Sequence, residues 1–339
     1  MVQEKKYKIA TIGSHSALQI LKGAKDEGFE TICICLKGRD EPYRNFKVAD
    51  KIYVIDDYKE LFTLQDELIK ENAIIVPHAS FIAYMGVKKT ESIKVAYFGN
   101  KKILEWESNR NIERDWLRNA GLKVPKLFDD PKMIDRPVIT KFHGAGGGKG
   151  YFIAKNYDDW KEKMKAYKGE QDYVIQEYIV GVPCYIHYFY SPLTDEIEVL
   201  GFDKRYESNV DSLGRISARD QIALPKIDPS YVIVGNIPLV LRESLLPQVF
   251  KMGRAVVEES KKLCPPGLFG PFCLECVITP DTEIVCFEIS ARIVAGTNPY
   301  VNGSPYTWLK YNEPMSTGRR IAREIKLAIQ KGELKKVVQ

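Results

Sequence analysis

Five glycines fall within seven residues, between two apolar stretches, in the run Val138-Ile139-Thr140-Lys141-Phe142-His143-Gly144-Ala145-Gly146-Gly147-Gly148-Lys149-Gly150. Such a run cannot be packed core. Its backbone N–H groups can turn inward and approach phosphate oxygens with no Cβ in the way. Lys141 and Lys149 place positive charge at either end. No GK[ST] completes a P-loop, and no amphipathic helix follows as a dinucleotide fingerprint requires. Tyr151-Phe152-Ile153-Ala154 instead resumes an apolar strand. The pattern predicts a hairpin flap whose tip, Gly146, Gly147, Gly148 and Lys149, closes over a triphosphate. The alternative is a surface hairpin with no ligand.

A second segment supplies the opposite charge. Residues 272–278 and 283–292 read as two strands joined by the turn Thr279-Pro280-Asp281-Thr282. Alternation puts Glu288, Ser290 and Arg292 on one face, and Glu275 can sit across from Glu288. Two adjacent carboxylates repel unless a cation lies between them, and Mg²⁺ takes one or two carboxylates plus phosphate oxygens. Arg292 can neutralise a developing acyl phosphate. A solvated hairpin face is the plainer reading, but Phe272, Cys273, Val277, Val285, Cys286, Phe287 and Ile289 surround the pair, which predicts a face that is not freely exposed.

These residues resemble the ATP-grasp superfamily, whose metal strand reads Glu-x-Asn-x-Arg; here Ser290 stands at the Asn position. Gln176-Glu177-Tyr178-Ile179-Val180-Gly181 is similar to the family's hinge, whose backbone reads the adenine edge. Pro183-Cys184 stands where its acidic ribose ligand is expected, and Asn109-Arg110 looks like its Asp-Lys pair, with Arg110 replacing a lysine that touches phosphate. The segments Gly13 to Ile20, Arg205-Tyr206-Glu207-Ser208-Asn209, Gly235-Asn236-Ile237-Pro238 and Arg242-Glu243-Ser244-Leu245-Leu246 narrow the likeness, nearly end to end, to the archaeal formate-dependent members that formylate aminoimidazole carboxamide ribotide (AICAR). The resemblance implies ATP, formate and AICAR as substrates. It implies Mg²⁺ or Mn²⁺ on Glu275 and Glu288, and Arg292 and Lys149 as catalytic groups. It places ATP against Lys141, Gly146, Gly147, Gly148, Lys149, Gln176, Glu177, Tyr178, Ile179 and Glu207, and AICAR against His15, Ser16, Ser80 and Asn236. A homo-oligomer is expected.

Residues 7–100 read as a separate α/β unit. Residues 7–12 form a strand, Gly13-Ser14-His15-Ser16 a tight turn, 17–27 a helix with Leu18, Leu21 and Ala24 at helical spacing, and 31–36 the next strand. A helix start after such a turn suits an anion, and a second strand end brings up His78 and Ser80. His15 could equally be a capping residue with no ligand. The expected fold class is α/β, a Rossmann-like domain (1–100) followed by a two-lobed ATP-grasp domain (101–190 and 191–339). The chain of 339 residues is long enough for both.

With 50 Lys+Arg against 45 Asp+Glu, the charge of +5 gives no argument for nucleic acid. No long apolar run predicts a membrane span or signal core, so the expected location is cytoplasmic. The seven cysteines mostly fall in apolar strands, as reduced buried thiols do. Cys273-Leu274-Glu275-Cys276 spells CxxC, but in a strand its thiols face opposite ways. Arg319-Arg320 reads as the solvated start of a last helix running to Ile329. Two other classes stay open: another ATP-grasp carboxylate–amine ligase, and a non-catalytic nucleotide-binding regulator.

Overall fold

A computed structural model describes residues 6–142, 151–167, 173–207, 216–223 and 232–339. The first unit is a parallel sheet in the order β3-β2-β1-β4-β5. Its strands are β1 Lys8–Ile12, β2 Glu30–Leu36, β3 Lys51–Ile55, β4 Ala73–Ile75 and β5 Ala96–Tyr97. Ile9, Ala10, Ile12, Ile32, Cys33, Ile34 and Cys35 are all buried, the near-continuous apolar pattern of a sheet covered on both faces. Helix Ala17–Asp26 follows β1 as expected, but it buries Gln19 rather than Leu18. That face packs on helix Thr317–Gln330, which takes polar partners from it. Gly23 and Gly318 let the two helix backbones touch, and a Cβ on either would overlap the other chain segment.

A small antiparallel sheet follows, β7-β6-β8, built from β6 Val138–Phe142, β7 Tyr151–Ala154 and β8 Tyr173–Glu177. Strands β6 and β7 pair antiparallel from Val138–Ala154 to Lys141–Tyr151, which is the expected hairpin up to its tip. Residues 143–150, with Gly146, Gly147, Gly148 and Lys149, lie outside the described residues.

The large antiparallel sheet runs β11-β10-β9-β12-β13: β9 Val182–Ser191, β10 Glu196–Glu207, β11 Ile233–Leu239, β12 Gly270–Ile278 and β13 Ile284–Ser290. Because β9 is its central strand, the change of sheet falls between Glu177 and Val182, ahead of the expected division at 190. Its back face, with Cys184, Ile186 and Tyr188, packs on helix Leu246–Leu263; Tyr188 donates to Val249 O at 2.9 Å and stacks on Phe272 at 4.8 Å. The front face carries Tyr185, His187, Phe189 and Ser191. Part of it is covered by helix Thr317–Gln330, where the expectation for Arg320 fails: Arg320 is 4% exposed and binds Glu198 and Glu324. An arginine reads as solvated from its neighbours in sequence, whereas its two partners come from strand and helix in space. Arg319 pairs with Glu27 and Glu313. Among the described residues no helix is long and apolar enough to cross a membrane.

Candidate active site

The register of the large sheet assembles the site. Glu288, Glu275, Tyr185 and Asp203 are directly paired across β13, β12, β9 and β10, and Arg205 faces Asn236 across β10 and β11. The expected hairpin is present, closed by Thr282 N–H to Thr279 O at 2.9 Å. The pair is asymmetric, however. Glu275 is 3% exposed, whereas Glu288 opens to solvent, contrary to the enclosed face expected for both. The difference follows from position: β12 is interior to the sheet and β13 is its edge.

Glu275 is also not bare. Arg205 donates to its Oε1 at 2.5 Å and lies over the Tyr185 ring at 3.9 Å, and Ser290 Oγ stands 3.5 Å from the same oxygen. Burial, then Glu288, pushes the Glu275 carboxyl up to about 7 against the pull of Arg205. Arg292 is half-buried and pairs with Glu107 at 2.8 Å; among the described residues its Nε has no partner. Two glutamates that the motif reading missed serve the edge of β13. Glu113 accepts from Ile289 N–H at 2.7 Å and Glu107 from Ala291 N–H at 2.9 Å, while Cys286 N–H donates to Lys123 O. Burial raises both carboxyls, Glu113 further because Glu288 lies near. In sequence both look like ordinary charges on helices Ile103–Ser108 and Arg110–Asn119; only the fold brings them under β13.

A cleft opens beside Glu288, lined by Arg110, Glu113, Lys141, Gln176 and Phe287 among others. Lys141 lies 5.6 Å over the Phe287 ring; burial lowers its pKa, and Glu288 opposes that. Asn109 caps the helix that Arg110 begins, accepting from Asn111 N–H. Of the hinge residues, Gln176 reaches the cleft. The Glu177 carboxylate is held by Arg136 at 2.9 Å and by Lys126 N–H, and Tyr178 N–H is taken by Pro137 O. Ile179 is half-buried beyond β8. Glu207 ends β10, its carboxyl raised by burial.

The N-terminal turn meets this site just past the end of β13, where Asn298 donates to His15 O at 3.1 Å. His78 bridges to Ile293, and the His15 and His78 rings stack at 5.3 Å. His15 takes φ +52°, with Ser16 Oγ on its Nδ1 at 2.8 Å. Ser16 is fully buried, and Ser80 Oγ donates to Ser14 Oγ at 3.0 Å. Burial and the neighbouring His78, Arg292 and Arg205 lower His15 to about 2, so its ring is neutral and a weak base. His78, lowered by burial to about 4, has both ring nitrogens engaged, with Ile12 O and Ser80 N. Asn236 joins the face through Asp203. The seven cysteines are free and buried, and Cys273 and Cys276 sit in different clusters on opposite faces of β12.

A parallel-sheet domain, a small antiparallel lobe and a large antiparallel sheet enclosing a cleft of paired acids and bases define an ATP-grasp ligase. The family models described as "Domain of unknown function (DUF1297)" and "Protein of unknown function (DUF1246)" match residues 154–339 and 9–128. The chain is 56% identical to the 5-formaminoimidazole-4-carboxamide-1-(beta)-D-ribofuranosyl 5'-monophosphate synthetase of Pyrococcus abyssi, over 98% of both chains. It is similar to the crystal structure of the IMP biosynthesis protein PurP from Thermococcus kodakaraensis (TM-score 0.77, 32% identity, 98% of this chain and 100% of that one). The ADP complex of purK, an N5-carboxyaminoimidazole ribonucleotide synthetase, shares the fold at 16% identity (TM-score 0.67, 96% and 78%). The chain belongs to the family of the 5-formaminoimidazole-4-carboxamide ribotide (FAICAR) synthetases.

Proposed function

We propose that this protein formylates AICAR to FAICAR, using ATP and formate and releasing ADP and phosphate. The observation that carries the mechanism is the convergence of Glu275, Glu288, Arg205, Arg292 and Lys141 between the cleft and the His15 turn. ATP would lie along the cleft, with Lys141, the loop bearing Gly146, Gly147, Gly148 and Lys149, and Gln176 to Ile179 about it. AICAR would lie against His15, Ser16, Ser80 and Asn236. Glu275 and Glu288 fit a divalent cation, Mg²⁺ or Mn²⁺, because two carboxylates paired across the strands repel unless a cation lies between them. Among the described residues no third acidic, His or Cys side chain completes a ligand set, so phosphate oxygens would supply the rest. When bound, the metal would offset phosphate charge.

Formate resists an amine because hydroxide is a poor leaving group. An oxygen of formate therefore attacks the γ-phosphorus and ADP departs, giving formyl phosphate. The 5-amino nitrogen of AICAR then attacks the formyl carbon, loses a proton, and expels phosphate. Arg292, held by Glu107, and Lys141 stabilise the charge that develops. The test is isotopic. Formate labelled on both oxygens should deliver one label to phosphate per turnover and keep the other in the formyl group. Unlabelled phosphate in a single turnover would mean that formate is never phosphorylated.

A further inference from the structure

The N-terminal turn is tied to the opposite lobe by a line of hydrogen bonds that the mechanism leaves unused. Gln19 lies in the first turn of helix Ala17–Asp26 and is 2% exposed. Its Oε1 accepts from Gly318 N–H at 3.3 Å, one of the N–H groups that open helix Thr317–Gln330 and find no acceptor within it. Its Nε2 donates to Thr297 Oγ1 at 2.6 Å and to Asn298 Oδ1 at 2.7 Å. Asn298, half-buried, donates in turn from Nδ2 to His15 O at 3.1 Å.

Both ends of this line have fixed roles. A backbone N–H only donates and a carbonyl only accepts, so neither amide can be turned round without breaking an end. Thr297 agrees: its hydroxyl donates to Val294 O at 2.7 Å, which leaves the oxygen to accept from Gln19. The far end is a strained residue. His15 takes φ +52°, where a histidine is uncommon, and such conformations persist only where surrounding contacts hold them.

We infer that Asn298 is a positioning residue for the AICAR turn, holding His15 in its left-handed conformation through the main-chain carbonyl, and that Gln19 acts through Asn298 by presenting it in the orientation that can donate. The inference rests on the AICAR reading above, in which His15 and Ser16 meet the substrate. Without this bond His15 O is released and the turn relaxes towards ordinary backbone angles. The His15 ring then leaves its stack on His78 and its contact with Ser16 Oγ.

The experiment measures dissociation constants of AICAR and ATP by calorimetry, and steady-state ADP release, on the full-length protein. The variants are Asn298→Ala, Asn298→Asp, Gln19→Ala, and Gln19→Ala combined with Asn298→Ala. Asn298→Asp keeps the size and the acceptor for Gln19 but sets a carboxylate oxygen against His15 O. The AICAR Kd should rise about fivefold to tenfold in Asn298→Ala, the loss of one hydrogen bond, and at least as far in Asn298→Asp. The ATP Kd, and kcat at saturating AICAR, should stay near wild type, a split that a general loss of folding would not give. Gln19→Ala should weaken AICAR binding alone but add nothing beside Asn298→Ala. An unchanged AICAR Kd in both Asn298 variants overturns the inference. An equal Gln19 effect with and without Asn298 overturns the part given to Gln19. A wild-type protein that does not bind AICAR overturns the proposed function instead.

Discussion

The front face of the large sheet holds two clusters of charge, one at each end. Around Arg320, every group is answered: Nε and Nη2 bind Glu198, Nη1 binds Glu324 at 2.8 Å, and the guanidinium lies over Phe189 at 4.1 Å. Ser191 and Tyr311 occupy further carboxylate oxygens of Glu324 and Glu198. Around Glu275 the account stays open. Arg292 Nε lacks a partner among the described residues, Glu288 faces solvent, and the Glu275 carboxyl has its pKa raised to about 7. A buried charge network that is complete can serve only the fold. One left incomplete keeps its field for something that arrives later.

The sharpest way to break this contrast is Arg320→Leu. It leaves Glu324 buried without its cation and Glu198 with only Lys310, 3.9 Å away, and unfolding by denaturant should show a loss of about 3–5 kcal/mol. Activity per folded molecule should stay near normal. A loss below about 1 kcal/mol would show that the network relaxes easily and is not the structural member of the pair.

At the other end, Glu288→Gln should lower turnover about 100-fold, or about 2.7 kcal/mol of transition-state stabilisation, with stability unchanged or slightly higher. Glu288 is the cleaner choice than Glu275, whose neutralisation also strands Arg205. Steady-state ADP release and an unfolding curve check both halves. Near-normal turnover would place the metal elsewhere.

The smallest effect concerns pH, where Glu275 and Glu27, a carboxylate outside both clusters, carry opposite signs. The folded pKa of Glu275 is raised, so its stability contribution is full below about pH 4.5 and is lost as pH rises through about 7. Burial also lifts Glu27, but Arg323 and Arg319 outweigh it and hold the carboxyl low, so that contribution is present above pH 4.5 and is lost on acidification. Between about pH 5.5 and about pH 8 metal-free protein loses the Glu275 contribution but gains that of His15 and His78, whose lowered pKa values leave the unfolded chain to take up their protons. The variant isolates the Glu275 part: Glu288→Gln should raise the unfolding midpoint at about pH 8 relative to that at about pH 5.5. An equal slope in that variant would trace the effect to other groups.

Local pattern carried much of this into the sequence. The β1–turn–helix–β2 unit follows from apolar runs and helical spacing, and the 272–292 hairpin from alternation around one turn, which sets Glu275 opposite Glu288. What the pattern lacks is distance along the chain. Arg320 finds Glu198 122 residues away, Arg205 finds Glu275 70 away, and Glu107 reaches Ala291 across 184. No periodicity encodes such pairs. For the same reason edge and interior positions could not be told apart, and Glu288 was expected to be as enclosed as Glu275.

The treatment of β13 has a consequence for the protein in a crowded solution. An edge strand normally displays unpaired N–H and C=O groups that another chain can adopt as a template for aggregation. Here the N–H groups of Cys286, Ile289 and Ala291 are already spent on Lys123 O, Glu113 and Glu107. The strand that carries Glu288 thus stays solvent-accessible at that side chain while two of its own N–H groups, and that of Ala291 just past its end, are withheld from another chain.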